Sequence, residues 1–133
     1  MKYTRKSYNI NLGLLLLRVL IGGFMLLQHG LPKLASFSKS FHSFSDPLGV
    51  GSEISYLLAV FAEFVCSILV MIGLFTRFAV IPLIITMLVA AFIIHGDDPF
   101  SKKEFALIYA IPFIALFFTG AGDYSIDNRL ANR

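Results

Sequence analysis

One run, Leu12 to Lys33, reading LGLLLLRVLIGGFMLLQHGLPK, limits what this chain can become. About 20 apolar residues cross the hydrocarbon core of a bilayer as a helix. The run has that length, yet it holds an arginine, Arg18, among its leucines. A charge at such depth costs at least about 2.5–3.5 kcal/mol on insertion scales. It persists only where it faces protein or water. Helical spacing puts Arg18, Gly22, Met25 and His29 on one face. Gly22 has no side chain and leaves room beside the guanidinium. This helix therefore carries a polar stripe that other helices must cover.

The remainder of the chain supplies them. Of its 133 residues 57% are hydrophobic and 14% charged, with a mean hydropathy of +0.80. A soluble domain is nearer ~25% charged. The sequence predicts an all-α integral membrane protein, a single domain over residues 1–133. The formal charge of +3 does not indicate a nucleic-acid partner, because the basic residues are scattered around apolar runs rather than clustered on one face. The one cysteine, Cys66, lies in an apolar run. With no second thiol, a self-sufficient thiol–disulfide enzyme is disfavoured, and Cys66 reads as packing. Lys2, Arg5 and Lys6 before an apolar run resemble a signal peptide. The run is too long for one, contains Arg18 and lacks a small-residue cleavage site, so it reads as the first span.

Four spans are expected, at about 12–31, 54–75, 78–95 and 105–120. Pro32 is expected to stop the first. A short interfacial segment should lie between spans one and two, with Phe37, Phe41, Phe44 and Leu48 spaced among serines and a turn at Asp46-Pro47. Thr76-Arg77 reads as a tight turn. Pro82 sits early in span three, and Pro112 in mid-span four should kink that helix. Gly120-Ala121-Gly122 reads as a helix C-cap. An even span count puts both ends on one side. Six basic residues fall there (Lys2, Arg5, Lys6, Arg77, Arg129, Arg133) against four opposite (Lys33, Lys39, Lys102, Lys103). The positive-inside rule then places both termini in the cytoplasm.

With that orientation Arg18 lies roughly 10 Å above the inner edge and Glu63 and Tyr109 roughly 18–20 Å up, at ~1.5 Å per residue. Glu63 is the one acid and Arg18 the one base inside a span. Pairing them is the simplest way to avoid two uncompensated charges. Their depths differ, and side chains lean toward each helix N-terminus, which separates them further. A bent arginine, a tilted helix or a bridging water would close the gap. Otherwise Glu63 is protonated and hydrogen-bonded to Tyr109 or Ser67, and Arg18 snorkels inward. Ala59, Ala62, Cys66 and Ser67 give span two a small-residue face for close packing. His29 and His95 fall near the outer edge, beside Asp97 and Asp98, with His42 in the loop. Their spacing gives no helical metal pair, and no metal is assigned. The candidate polar site is thus Arg18, His29, Glu63, Tyr109 and His95. Lys33, Arg77, Asp98, Lys103 and Glu104 are read as structural, with Asp98 and Lys103 bonding within their turn or to the interfacial segment and Glu104 complementing the helix dipole.

Five motifs in order, RVLIGGFMLLQHGLPKL, DPLGVG, FAEFVCSILVMIGLFTR, HGDDPFSKKEFALIY and GAGDYSID, together resemble the DoxX family of small four-span bacterial membrane proteins. The resemblance runs from about Leu12 to Asp127. It implies a four-helix bundle in the bacterial inner membrane. Family relatives include a subunit of a thiosulfate:quinone oxidoreductase and a component of a membrane complex tied to oxidative stress. By resemblance Arg18, His29, Gly30, Lys33, Glu63, Thr76, Arg77, His95, Asp98, Lys103, Glu104 and the Gly120–Asp127 turn fall on the family's recurring positions.

No flavin, haem, iron–sulfur, Walker or GxGxxG signature occurs in the chain. The expected role is a partner-dependent subunit of a redox or stress-related membrane complex, with a redox-protein partner or a second copy of itself. Its intramembrane polar site would bind a quinone or small lipophile. The competing readings are a stand-alone quinone-linked oxidoreductase and a small proton-coupled transporter using Glu63.

Overall fold

The computed structural model describes residues 5–133, and among these there is no strand. Lys2, which enters the orientation count, lies outside the described residues. Four long helices and two short ones follow in order: α1 (Arg5–Ala35), α2 (Phe37–Ser40), α3 (Ser52–Ile72), α4 (Thr76–Ile94), α5 (Phe100–Thr119) and α6 (Ile126–Ala131). α1, α3 and α4 are long and apolar enough to cross a membrane. α5 has 20 residues, about 30 Å of helix, with Lys102, Lys103 and Glu104 near its start. It runs without a break through Pro112.

α1 is helical from Arg5 and α5 from Phe100, ahead of the expected starts at about 12 and 105, and two further boundaries differ for identifiable reasons. Pro32 does not stop α1. It sits in the first turn of the segment Leu31–Ala35, directly after a π-helical turn at Leu26–Gly30. There a lost N–H and the ring's clash with the preceding carbonyl row matter least. The turn between α3 and α4 is Gly73–Phe75 rather than Thr76-Arg77. Gly73 takes the left-handed conformation (φ 70°) that ends α3, and Thr76 is already helical.

The π turn also explains which face of α1 is buried. Arg18, Gly22 and Met25 are buried as their spacing predicts, but the next buried position is Gly30, not His29. A π turn inserts one extra residue, so the inward face advances by one position. α3 and α4 carry π turns of their own at Phe61–Cys66 and Ala90–Ile94. α4 and α5 pack along most of their length. They bury Ala79, Ala91, Ala106 and Ala110 with Leu83, Phe113 and Leu116 between them, the small-residue pattern that lets helices approach in lipid. The outer surface carries Leu16, Leu20, Phe24, Phe92, Ile108, Ile111 and Phe118 exposed, an apolar coat suited to acyl chains.

The start of α1 and the tail beyond α5 meet at one end of the bundle. Asn11 Nδ2 donates to Asp123 Oδ2 at 2.8 Å, and the Asp123 amide donates back to Asn11 Oδ1. Tyr8 and Tyr124 pack edge to face. Gly120 ends α5 with φ 72°, as a C-cap. The polar tail then forms α6, which no periodicity announces, with the Ser125 side chain accepting from the Asn128 amide as its N-cap.

Candidate functional site

At the opposite end, α1 and α3 cross where both are π-helical. Gly30 faces the backbone of Glu63 and Phe64 so closely that an added Cβ would lie 2.9 Å from Phe64 Cα. Glu63, on the π turn of α3, directs its carboxylate to Lys33, one turn beyond Gly30, and Lys33 Nζ donates to Glu63 Oε2. The glutamate side chain is 4% exposed and the lysine 23%. A buried carboxylate is thus neutralised by a lysine whose stem runs in from the edge of the bundle. Tyr56 is fully buried beside them, and its hydroxyl donates to the Lys33 carbonyl at 2.5 Å. Phe37, Phe41 and Phe44 pack edge-on against the Tyr56 ring, which fixes the interfacial segment to α3.

The ion pair forms part of the wall of a cleft of about 330 Å³ between the first half of α3 and the second half of α4. Leu58, Phe61, Ile85, Val89 and Ile94 make its apolar walls, and Phe44, Pro47 and Leu48 reach in from the interfacial segment. Leu58, Phe61, Ile85 and Ile94 are exposed, so the mouth opens on the apolar outer surface. Thr86 adds a hydroxyl, which donates to the Pro82 carbonyl. The π turns of α3 and α4 supply Phe61, Glu63, Ala90 and Ile94 to this lining, and π turns are frequent at functional sites.

Asp46 shapes the overlying segment. Its carboxylate accepts from the Val50 and Gly51 amides and from the Ser55 hydroxyl at 2.8–2.9 Å. It thereby ties the loop to the start of α3. The Gly51 amide and the Ser55 hydroxyl hold this carboxyl below the usual carboxylate range.

Arg18 does not pair with Glu63. It is fully buried, and its guanidinium donates to the carbonyls of Val70, Met71 and Tyr124 at 3.2, 3.0 and 2.5 Å. It therefore caps the last turn of α3, where carbonyls lack helical partners, and ties the tail to it. Side-chain direction is the reason. Arg18 leans toward the start of α1 and Glu63 toward the start of the antiparallel α3, so the two diverge. Val70 is already roughly 10 Å along α3 from Glu63. The same end is closed by Asp127, whose carboxylate accepts from the Phe75 and Thr76 amides at the start of α4.

The other expected site residues separate into two groups. His29 and Tyr109 meet near the ion pair, with rings edge to face at 5.4 Å. His29 Nε2 is buried without a hydrogen-bond partner. His95 lies apart, with Nδ1 2.7 Å from Asp98 Oδ2, and this bond holds the Asp98 carboxyl below the usual range. Lys103 donates to the Gly96 carbonyl. Asp98 and Lys103 thus bond within their own turn. Arg77 donates to the Phe118 carbonyl, and Glu104 is exposed at the start of α5. Sequence reasoning missed Lys33 as the partner of Glu63 and missed the carboxylates of Asp46 and Asp127. The acid-Pro…Gly-x-Gly pattern before α3 was the available signal for Asp46. For Asp127 the one signal was its place at the end of the Gly120–Asp127 turn marked by the family resemblance.

The family model of DoxX matches residues 13–96. An uncharacterized protein of Haemophilus influenzae is 33% identical over 120 residues, an alignment covering 85% of this chain and 87% of that relative. No solved structure matches significantly.

Proposed function

The chain belongs to the DoxX family of membrane proteins, and from that premise we propose that it is a partner-dependent subunit of a redox or stress-related complex of the bacterial inner membrane. In this reading it binds a quinone or another small lipophile in the cleft beside Lys33 and Glu63, not beside Arg18. The observation that carries the reading is a lone ion pair in the wall of an apolar cleft that opens on the outer surface. Ligand pockets are mostly apolar with a few placed polar groups that set orientation. Arg18 serves the fold at the other end. α5 completes four spans, and the scattered basic residues favour both termini on the cytoplasmic side.

Two measurements test this. A photoreactive quinone analogue in native membranes should label peptides of α3 and α4 and be competed by unmodified quinone. Affinity purification from those membranes should bring down a redox protein. Failure of the quinone to label the cleft removes the quinone, and purification of the chain alone removes the partner. One observation favours a transporter instead: Glu63 lies near His29, whose Nε2 has no partner among the described residues. Proton-linked solute flux in liposomes would decide for it.

A further inference from the structure

Resting on the ligand-binding reading above, we infer that the cleft selects an uncharged amphiphile whose head group carries both a hydrogen-bond donor and an acceptor, and excludes lipophilic ions of either sign. The inference comes from the charge inventory of the cleft. Of its lining residues, Lys33 and Glu63 are the ionisable ones, and they are bonded to each other. With the proton on either partner the pair has no net charge. His29, on the preceding turn of α1, sits within electrostatic range of both but is turned to Tyr109. Asp46 is committed to two amides and the Ser55 hydroxyl.

An ion entering this apolar space loses hydration and meets a dipole instead of an opposite charge. Whichever sign it carries, one member of the pair repels it. At an effective dielectric near 20, a like charge about 5 Å away weakens binding by roughly two orders of magnitude, and the opposite charge of the pair at a similar distance returns about as much. The two cancel, so the ion's lost hydration stands uncompensated, and this is expected to discriminate by at least about tenfold. A neutral head avoids that penalty. Hydrogen-bonding capacity is also left over on both sides. Among the described residues Lys33 Nζ donates to Glu63 Oε2 alone, and no bond engages Glu63 Oε1. An ammonium has three donors, and a carboxylate accepts at both oxygens. The Thr86 oxygen, having donated to Pro82, can still accept. A head that offers an acceptor to Lys33 and a hydroxyl to Glu63 or Thr86 matches these groups, which among quinones is the reduced, hydroxyl-bearing form. At about 330 Å³ the cleft is at the small end of ligand pockets. It holds the head and the first part of a chain. The rest of the chain leaves through the mouth at Leu58, Phe61 and Ile85.

The test uses the full chain in phosphatidylcholine nanodiscs, free of sugar detergents. Three photoreactive probes share one sixteen-carbon chain (about the depth of a leaflet) and differ only in the head: a carboxylate, a trimethylammonium and a glycerol monoester. Labelling is read by mass spectrometry on the peptides of α3 and α4. The glycerol ester is expected to label the cleft at least about tenfold more than either ion. Glu63→Gln should shift the preference toward the carboxylate, and Lys33→Met toward the ammonium. The wild-type comparison requires no variant, so a folding defect in either one leaves the test intact. Thr86→Val offers a third variant that does not disturb the pair. Cleft labelling led by the carboxylate or the ammonium overturns the inference while sparing the lipophile reading. Absence of cleft labelling by all three probes overturns both.

Discussion

Glu63 should couple energetically to Lys33 and not to Arg18. The perturbation is a pair of double-mutant cycles, Lys33→Met with Glu63→Leu and Arg18→Leu with Glu63→Leu. Removing one partner of a buried ion pair typically costs about 3–5 kcal/mol, because the survivor is left uncompensated. The geometry makes the two single changes unequal. Lys33 is 23% exposed and Glu63 4%, so after Glu63→Leu the lysine can swing outward and keep its hydration. After Lys33→Met the glutamate is held at the Gly30 crossing and escapes only by taking a proton. Lys33→Met should therefore cost about 3 kcal/mol and Glu63→Leu about 1–2 kcal/mol, with the double variant recovering about 2 kcal/mol of the sum. Arg18 binds the far end of α3, and groups without shared partners add within about 0.3–0.5 kcal/mol. The assay is reversible unfolding in detergent. Coupling above about 0.5 kcal/mol between Arg18 and Glu63, or its absence between Lys33 and Glu63, would refute the assigned pairing.

The other expectations follow from single contacts. Gly30→Ala would force α1 off α3, since its Cβ would lie 2.9 Å from Phe64 Cα; a loss of at least about 1–3 kcal/mol is expected. Gly13→Ala, with nothing within 4 Å, should be neutral or stabilising by up to about 1 kcal/mol in the same unfolding assay. Arg18→Leu should cost several kcal/mol, at about 1.5–3 kcal/mol for each charged hydrogen bond lost, and should expose the tail near Tyr124 to protease. The Asp46 carboxyl is held below its ordinary range, so its contribution is present at neutral pH, above the unfolded value of about 3.9. It is lost as pH falls through the depressed folded value. Hydrogen exchange at the Val50 and Gly51 amides should therefore stay protected down to about pH 4 and open below it, and Asp46→Asn should remove that pH dependence.

Most of the fold was legible because lipid simplifies the code. Apolar length reports a span, small residues report a close crossing, and Gly120 reports a helix end. What composition and a regular 3.6-residue period do not report is where a helix leaves that period. The π turn at Leu26–Gly30 moved the buried position from His29 to Gly30, carried α1 through Pro32 and aligned Lys33 with Glu63. A charge count within spans assigned Glu63 to Arg18, because Lys33 fell just beyond the expected end of the first helix. The correction was implicit in side-chain direction: a residue on α1 leans back toward its own start, so a lysine past the span reaches in while Arg18 reaches away. The carboxylates of Asp46 and Asp127 accept backbone amides from other segments, and such capping depends on where two loops meet. Local pattern holds no record of that. For a glutamate buried in a bundle of this kind, the first partner to consider is therefore a lysine about one turn past the end of the neighbouring antiparallel helix, and an arginine at matching depth comes second.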